Sequence, residues 1–389
     1  MAEIYLDNSA TTRICDEALL RYREVSLEQY GNPSSLHALG FEGERVLAEA
    51  RREILESLSA RGSSVVFTAS GSEANNLAIV GRALAKERYK GAKIITTDGE
   101  HASVNEPLLR LADMGFRIVK IPTRGGMLDT DVLEREMTPD VVLVTMMMVN
   151  NETGALYDLA NVARLMHKRS PESVLHVDAT QSYLKVPFTK STLGADMITL
   201  SSHKIEGPKG VGALVVDEKI IKNHGLSPLI LGGGQEGGLR SGTENVPGIA
   251  AFAEAVKIGR VSLSERQSYL AGLREYLIEK FNTLPALSDI KLTLPEIHAP
   301  HILNVTLPKI KSETMLHHLS SFGIYVSSGS ACSSNSRHTS SALVAYGHTP
   351  SEADCSIRIS LSHRNTREEL DELISVLAEG LSRLARMRR

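Results

Sequence analysis

The chain has 389 residues, with 43 Lys and Arg against 46 Asp and Glu, a formal charge of −3. That length suggests two or three domains with cores large enough to need no disulfide or metal staple, which excludes a peptide hormone or a small cystine scaffold. The near-neutral balance offers no basic field for nucleic acid or anionic membranes, and the absence of Trp with 4% aromatics argues against base-stacking or carbohydrate platforms.

The first residues, Met1 to Asp7, lack the basic region and long apolar run of a leader, and the longest apolar stretch, Val141 to Val149, is far below a membrane span. A cytoplasmic protein is expected. From Glu42 to Ala60, Val46, Ala50, Ile54 and Leu58 recur four apart and predict an amphipathic helix. Short apolar runs then alternate with helical patterns: Ser64 to Phe67, Lys93 to Thr96, Arg117 to Ile121, Val141 to Thr145, Val174 to Val177, Met197 to Leu200 and Gly212 to Val215. This alternation predicts an α/β domain with a mainly parallel sheet. The texture changes near Pro247: a long helical stretch, Gly248 to Phe281, precedes a turn-rich region and an α+β remainder with strands Ile302 to Thr306 and Ser356 to Ile359. A large domain over residues 16–255 and a smaller one from 1–15 and 256–389 are expected. The last helix opens with a capping box, Thr366 and Glu369, and carries Leu370, Ile374, Leu377, Leu381 and Leu384 on one face.

Four segments carry chemistry. Ser201-Ser202-His203-Lys204 ends a strand, and a lysine positioned there can form a Schiff base with an aldehyde when its pocket strips away water. On its own Lys204 reads as a surface lysine, as in most proteins, and needs companions to read otherwise. Asp178, at the end of another strand, is either a helix N-cap or a carboxylate for a ring nitrogen. The small-residue turn Thr68 to Asn76, with Gly71 and Ser72 opening a helix, offers backbone N–H groups to a phosphate. It lacks the GxxxxGK[ST] pattern of a nucleotide loop, and Gly232 to Gly242 lacks the context of a dinucleotide site. Of the three cysteines, Cys332 sits among Ser327 to Ser336, small polar residues that cannot pack a core, so an exposed, reactive thiol is expected.

Taken together, these segments resemble the cysteine desulfurases of the NifS/IscS type. Those are pyridoxal phosphate enzymes of the class V aminotransferase group with an aspartate-aminotransferase-like fold (fold type I). The resemblance runs from Tyr5 to Thr12 and Gly31 to His37, through Glu100-His101, Asn150 to Gly154 and the Asp178 and Lys204 segments, to Arg240 to Asn245, the Cys332 loop and Ser356 to Arg358. It implies Lys204 as the Schiff-base lysine, Asp178 as partner of the pyridinium nitrogen, Gln181 as donor to the ring hydroxyl and His101 as the stacking acid–base group. It further implies Gly71, Ser72, Ser201 and His203 around the phosphate, Thr243 reaching the phosphate of a neighbouring subunit, and Asn151 and Arg358 on the substrate carboxylate. A homodimer follows from that assignment of Thr243.

The activity so implied takes L-cysteine to L-alanine and leaves the sulfur on Cys332 as a persulfide for an acceptor protein of iron–sulfur cluster assembly or of tRNA or cofactor thiolation. The Cys332 to Arg358 interval resembles the long-loop group of the family. A selenocysteine lyase, another class V lyase or aminotransferase, and a non-catalytic scaffold of the same fold are the alternatives. Two departures from the family pattern are Glu236-Gly237-Gly238, where relatives carry Glu-Arg-Gly, and Ser362-His363-Arg364, where they carry Gly-Arg-Phe. With the chain stopping at Arg389, a different contact with an iron–sulfur scaffold, or none, is expected.

Overall fold

The computed structural model describes residues 3–86, 89, 91–308, 310–328 and 339–386. Thirteen strands are described in chain order: β1 (Ile4–Tyr5), β2 (Ser63–Thr68), β3 (Lys93–Thr97), β4 (Arg117–Ile121), β5 (Val141–Met147), β6 (Val174–Asp178), β7 (Met197–Ser201), β8 (Gly212–Asp217), β9 (Lys291–Thr293), β10 (Ile302–Thr306), β11 (Ile324–Tyr325), β12 (Ser327–Ser328) and β13 (Ser356–Ser360). Every run read as a strand from the sequence is one, within two residues at each end.

The large sheet has the order β2-β8-β7-β6-β5-β3-β4, and only β8 runs against its neighbours. Strands β5, β6 and β7 are buried at every position, as covering a parallel sheet with helices on both faces requires. Their parallel pairing sets Met147 beside Asp178 and Asp178 beside Thr199, so the carboxyl ends of three strands open on one edge. In α/β sheets that edge is where ligands bind.

A second, antiparallel sheet has the order β12-β13-β10-β9, and β1 pairs with β11. The helix Val246–Thr283 runs past both cores. Its Val246, Ile249, Phe252 and Val256 pack with the large sheet, whereas Leu270, Leu273, Leu277 and Phe281 pack with β10, β13 and the last helix. The helix begins where Asn245 accepts the Gly248 N–H at 3.1 Å and Pro247 fills the first turn. The helix expected over residues 42–60 runs Ala38–Ser57, starting earlier because His37 caps it through the Gly40 N–H, and it buries Val46, Ala50 and Ile54 as its periodicity predicts. The last helix, Arg367–Arg386, opens on the expected box: Thr366 N–H donates to Glu369 and the Glu369 N–H to Thr366 Oγ1. No helix among the described residues is long and apolar enough to cross a membrane.

The Glu236-Gly237-Gly238 departure has a local explanation. Glu236, with 1% of its side chain exposed, takes a bidentate pair from Arg51 at 2.7 and 2.8 Å and the Phe67 N–H at 2.9 Å. Residues 236–238 all have positive φ, of 52°, 63° and 83°, a run that glycine tolerates at positions 237 and 238 and an arginine at 237 would strain. Glu236 thus ties β2 to the helix Ala38–Ser57. Its replacement by Ala strands the Arg51 guanidinium and the Phe67 N–H. It is expected to cost about 3 kcal/mol, read as a lowered urea midpoint at unchanged slope.

Candidate active site

The amine of Lys204 hangs from the short turn Ser202–Lys204 that ends β7. Its Nζ donates to the Ser9 and Ala10 carbonyls at 2.5 and 2.7 Å, so the chain's first loop closes over the strand edge. Gln181 Nε2 donates to the same Ser9 carbonyl at 2.9 Å, while its Oε1 is buried without a partner among the described residues.

Asp178, 6% exposed, ends β6. One oxygen accepts from Asn75 Nδ2 at 2.7 Å and the other from the Thr180 N–H at 2.9 Å, both fixing its orientation. The same Asn75 amide donates to Ser103 Oγ at 2.8 Å, and Ser103 Oγ lies 2.9 Å from His101 Nδ1. The Ser103 N–H also donates to Nδ1, at 3.1 Å. Nδ1 is therefore an acceptor, and a neutral His101 carries its proton on Nε2. Burial pushes the His101 pKa down, Asp178 pulls it back up, and Lys204 and Arg358 push it down further. One imidazole thus senses the carboxylate, the amine and the guanidinium together. His101 also caps the helix Ala102–Asp113, so the capping role and the site role fall on one residue.

Below Asp178 on the same strand, His176 spans three strands, from Thr145 Oγ1 at 2.8 Å to Thr199 Oγ1 at 2.9 Å. Burial lowers its pKa to about 4, so it braces the sheet as a neutral ring. His203 lies 3.1 Å from Thr11 Oγ1 through Nδ1, and burial followed by Lys204 and Lys209 takes its pKa to about 4.

Gly71 opens the helix Gly71–Ala83, with Ser70 capping the Glu73 N–H at 3.1 Å. A Cβ added at Gly71 would stand 3.2 Å from Ser201 Cβ and 3.3 Å from Thr180 Oγ1, so the glycine lets the helix start lie close against two hydroxyl-bearing residues. A helix start beside hydroxyls suits an anion. Ser72 is exposed on that first turn, and Ser201 is buried. Arg358, on β13, is buried; it gives Nη1 to the Asn151 carbonyl and Nη2 to Asp7 Oδ1, both at 2.9 Å. Asn151 meets Arg358 through its backbone rather than as a side-chain neighbour. Thr243 is exposed on a groove with Phe67, Thr68, Arg240 and Asn245. Cys332 lies outside the described residues.

A phosphorylated pyridine aldehyde fits this donor set. It needs an amine, a buried fixed carboxylate and donors for an anion, which here are Lys204, Asp178 and the helix start at Gly71. Sequence reasoning missed the Asn75–Ser103 link between Asp178 and His101, although a serine two residues after a histidine at a helix start was a legible capping signal. It also gave no role to two buried groups, Glu100, quoted only as part of a motif, and Lys185. Glu100 accepts from Thr97 at 2.8 Å and from the Met147 N–H, and burial raises its pKa to about 8. The Lys185 amine is buried with no hydrogen-bond partner among the described residues, and burial with Lys204 nearby brings its pKa to about 7.

The profile of the family "Aminotransferase class-V" matches residues 4–373. The chain is 37% identical over 384 residues to "Cysteine desulfurase IscS 1" of Archaeoglobus fulgidus, covering 98% of both, and 35% identical to "Cysteine desulfurase IscS" of Dictyoglomus turgidum, covering 98% of this chain and 95% of the other. Among solved structures it is similar to a "NIFS-LIKE PROTEIN" (TM-score 0.90, 36% identity, 98% of this chain and all of that one). A NifS-like protein from Rickettsia africae superposes with a TM-score of 0.86 at 30% identity, over 98% of this chain and all of that one. The match over almost the whole chain, on a sheet whose carboxyl edge gathers a lysine, an aspartate and a helix start suited to an anion, shows that this protein belongs to the class V aminotransferases, of the pyridoxal phosphate fold type I.

Proposed function

We propose that this chain is a pyridoxal phosphate-dependent cysteine desulfurase, converting L-cysteine to L-alanine and passing the sulfur to Cys332. The observation that carries this reading is the placing of Asp178 and Lys204 at the carboxyl ends of the adjacent strands β6 and β7, in a chain similar along its length to proteins named cysteine desulfurase.

When bound, the cofactor supplies an aldehyde for amines and a protonated ring that accepts an electron pair from the substrate's α-carbon. Lys204 would hold it covalently, Asp178 would keep the ring nitrogen charged, and Gln181 and His101 would lie against the ring. Ser201, His203, Ser72 and the Gly71 turn would hold its phosphate. The Gln181 nitrogen has a second N–H beyond the one given to Ser9, enough for a ring hydroxyl. Arg358 would take the substrate carboxylate, with the Asn151 side chain as second donor. Lys204, once displaced by the substrate amine, would move the α-proton, and the Ser9 and Ala10 carbonyls are where its ammonium would rest.

The Cys332 thiolate would then attack the substrate sulfur. An S–S bond forms, the C–S bond breaks, and its electron pair returns to the substrate carbon, which gains a proton and leaves as alanine. Thr243, exposed on its own chain, would serve a partner subunit's phosphate in a homodimer, and the persulfide would go to a cytoplasmic acceptor protein.

The test is mass spectrometry of pure holoprotein fed L-cysteine. The peptide holding Cys332 is expected to gain one sulfur atom while alanine appears. In Cys332→Ala no peptide gains sulfur, with the cofactor still bound. Alanine formation without sulfur on Cys332 would overturn the assigned nucleophile.

A further inference from the structure

Arg358 is not an open fork awaiting a carboxylate. It already holds one, Asp7 Oδ1, at 2.9 Å from Nη2, with Nη1 on the Asn151 carbonyl and Nε buried without a partner among the described residues. Asp7 cannot swing far aside, because its backbone is fixed from two directions. Residue 7 bridges to Ser360, the last residue of β13, the Asn8 N–H donates to the Ser360 carbonyl at 3.2 Å, and Tyr5 Oη donates to the carbonyls of Asp7 and Thr11 at 3.1 and 2.9 Å. The side chain of Asp7 is 19% exposed and that of Arg358 6%, so water does little to screen the pair.

A guanidinium has five N–H donors. With one on Asp7 and one on Asn151, Nε–H and the second hydrogen of Nη2 can still take a substrate carboxylate side-on. Two anions then share one cation at close range and repel each other. We propose that Asp7 is an internal competitor for the substrate's carboxylate: it holds Arg358 in place and weakens the hold on any α-carboxylate, substrate or product, that the site admits. This rests on the desulfurase reading above. The consequence is a site that lets go of L-alanine, which presents the same carboxylate as the substrate, and that disfavours amino acids bearing a second negative charge.

The experiment compares wild-type holoprotein with Asp7→Asn, whose amide oxygen still accepts from Nη2 but carries no charge, and with Asp7→Ser as a second variant. The KM for L-cysteine is measured, and the dissociation constant of L-alanine is taken both from the visible absorbance of the bound cofactor and from the thermal unfolding midpoint. Both constants are expected to fall about tenfold in the variants. Unchanged or weaker binding in both variants overturns the proposal and makes Asp7 a prop for Arg358. Failure of the underlying reading shows itself separately, as wild-type protein that forms no alanine from cysteine.

Discussion

Lys204→Ala is expected to abolish alanine formation from L-cysteine, with a loss on the order of 10⁴-fold or more, because one substitution removes both the covalent anchor and the group that moves the α-proton. The two roles separate by rescue. A small primary amine added to Lys204→Ala can replace the proton carrier and restores a fraction of the rate, whereas Lys204→Arg restores none, because a guanidinium stays protonated. Loss of the visible absorbance band in Lys204→Ala would accompany this. The fold is expected to survive. Lys204 is half-buried in a turn, and its amine contributes two hydrogen bonds to the Ser9 and Ala10 carbonyls, worth about 1 kcal/mol each. An unfolded variant would show the lysine to be structural. A folded one with wild-type turnover would remove it from the chemistry.

The sheet was legible because its strands are buried on both faces: Val141–Met147 is apolar but for Thr145, and no solvent-exposed helix produces such a run. That β8 runs antiparallel was not legible, since strand direction is set by where the connection crosses and leaves no mark on the strand's own residues. Lys204, Asp178 and the Gly71 turn could be named because each lies at one terminus of an element, where the side chain has little packing to do. Asp7 was quoted for its place in a motif, but its ion pair with Arg358 joins residues at opposite ends of the chain, and no local pattern encodes that. Lys185 and His301 were invisible for the same reason. His301 is buried with both ring nitrogens unpartnered among the described residues, and burial and Lys185 lower its pKa, surroundings that exist only in three dimensions.

Asp178→Asn separates charge from shape in the same site. The amide matches the carboxylate in size and can still accept the Thr180 N–H, but its NH₂ meets the NH₂ of Asn75, two donors face to face. That conflict is expected to cost about 1–3 kcal/mol of stability. The functional loss should be larger: a neutral amide cannot hold a proton on a ring nitrogen, and kcat is expected to fall by about 10³-fold with little change in KM. The variant also carries a pH signature. Asp178 raises the pKa of His101 against the lowering by burial, so removing its charge lets that pKa fall further. His101 is then neutral to lower pH, and the acidic limb of the kcat/KM profile moves downward. Thr180→Pro, which removes the backbone N–H that Asp178 accepts but leaves the carboxylate charged, should leave that limb in place. If Asp178→Asn lowers kcat but the acidic limb stays put, another group sets that limb; if kcat is unchanged, the carboxylate serves the fold and not the reaction.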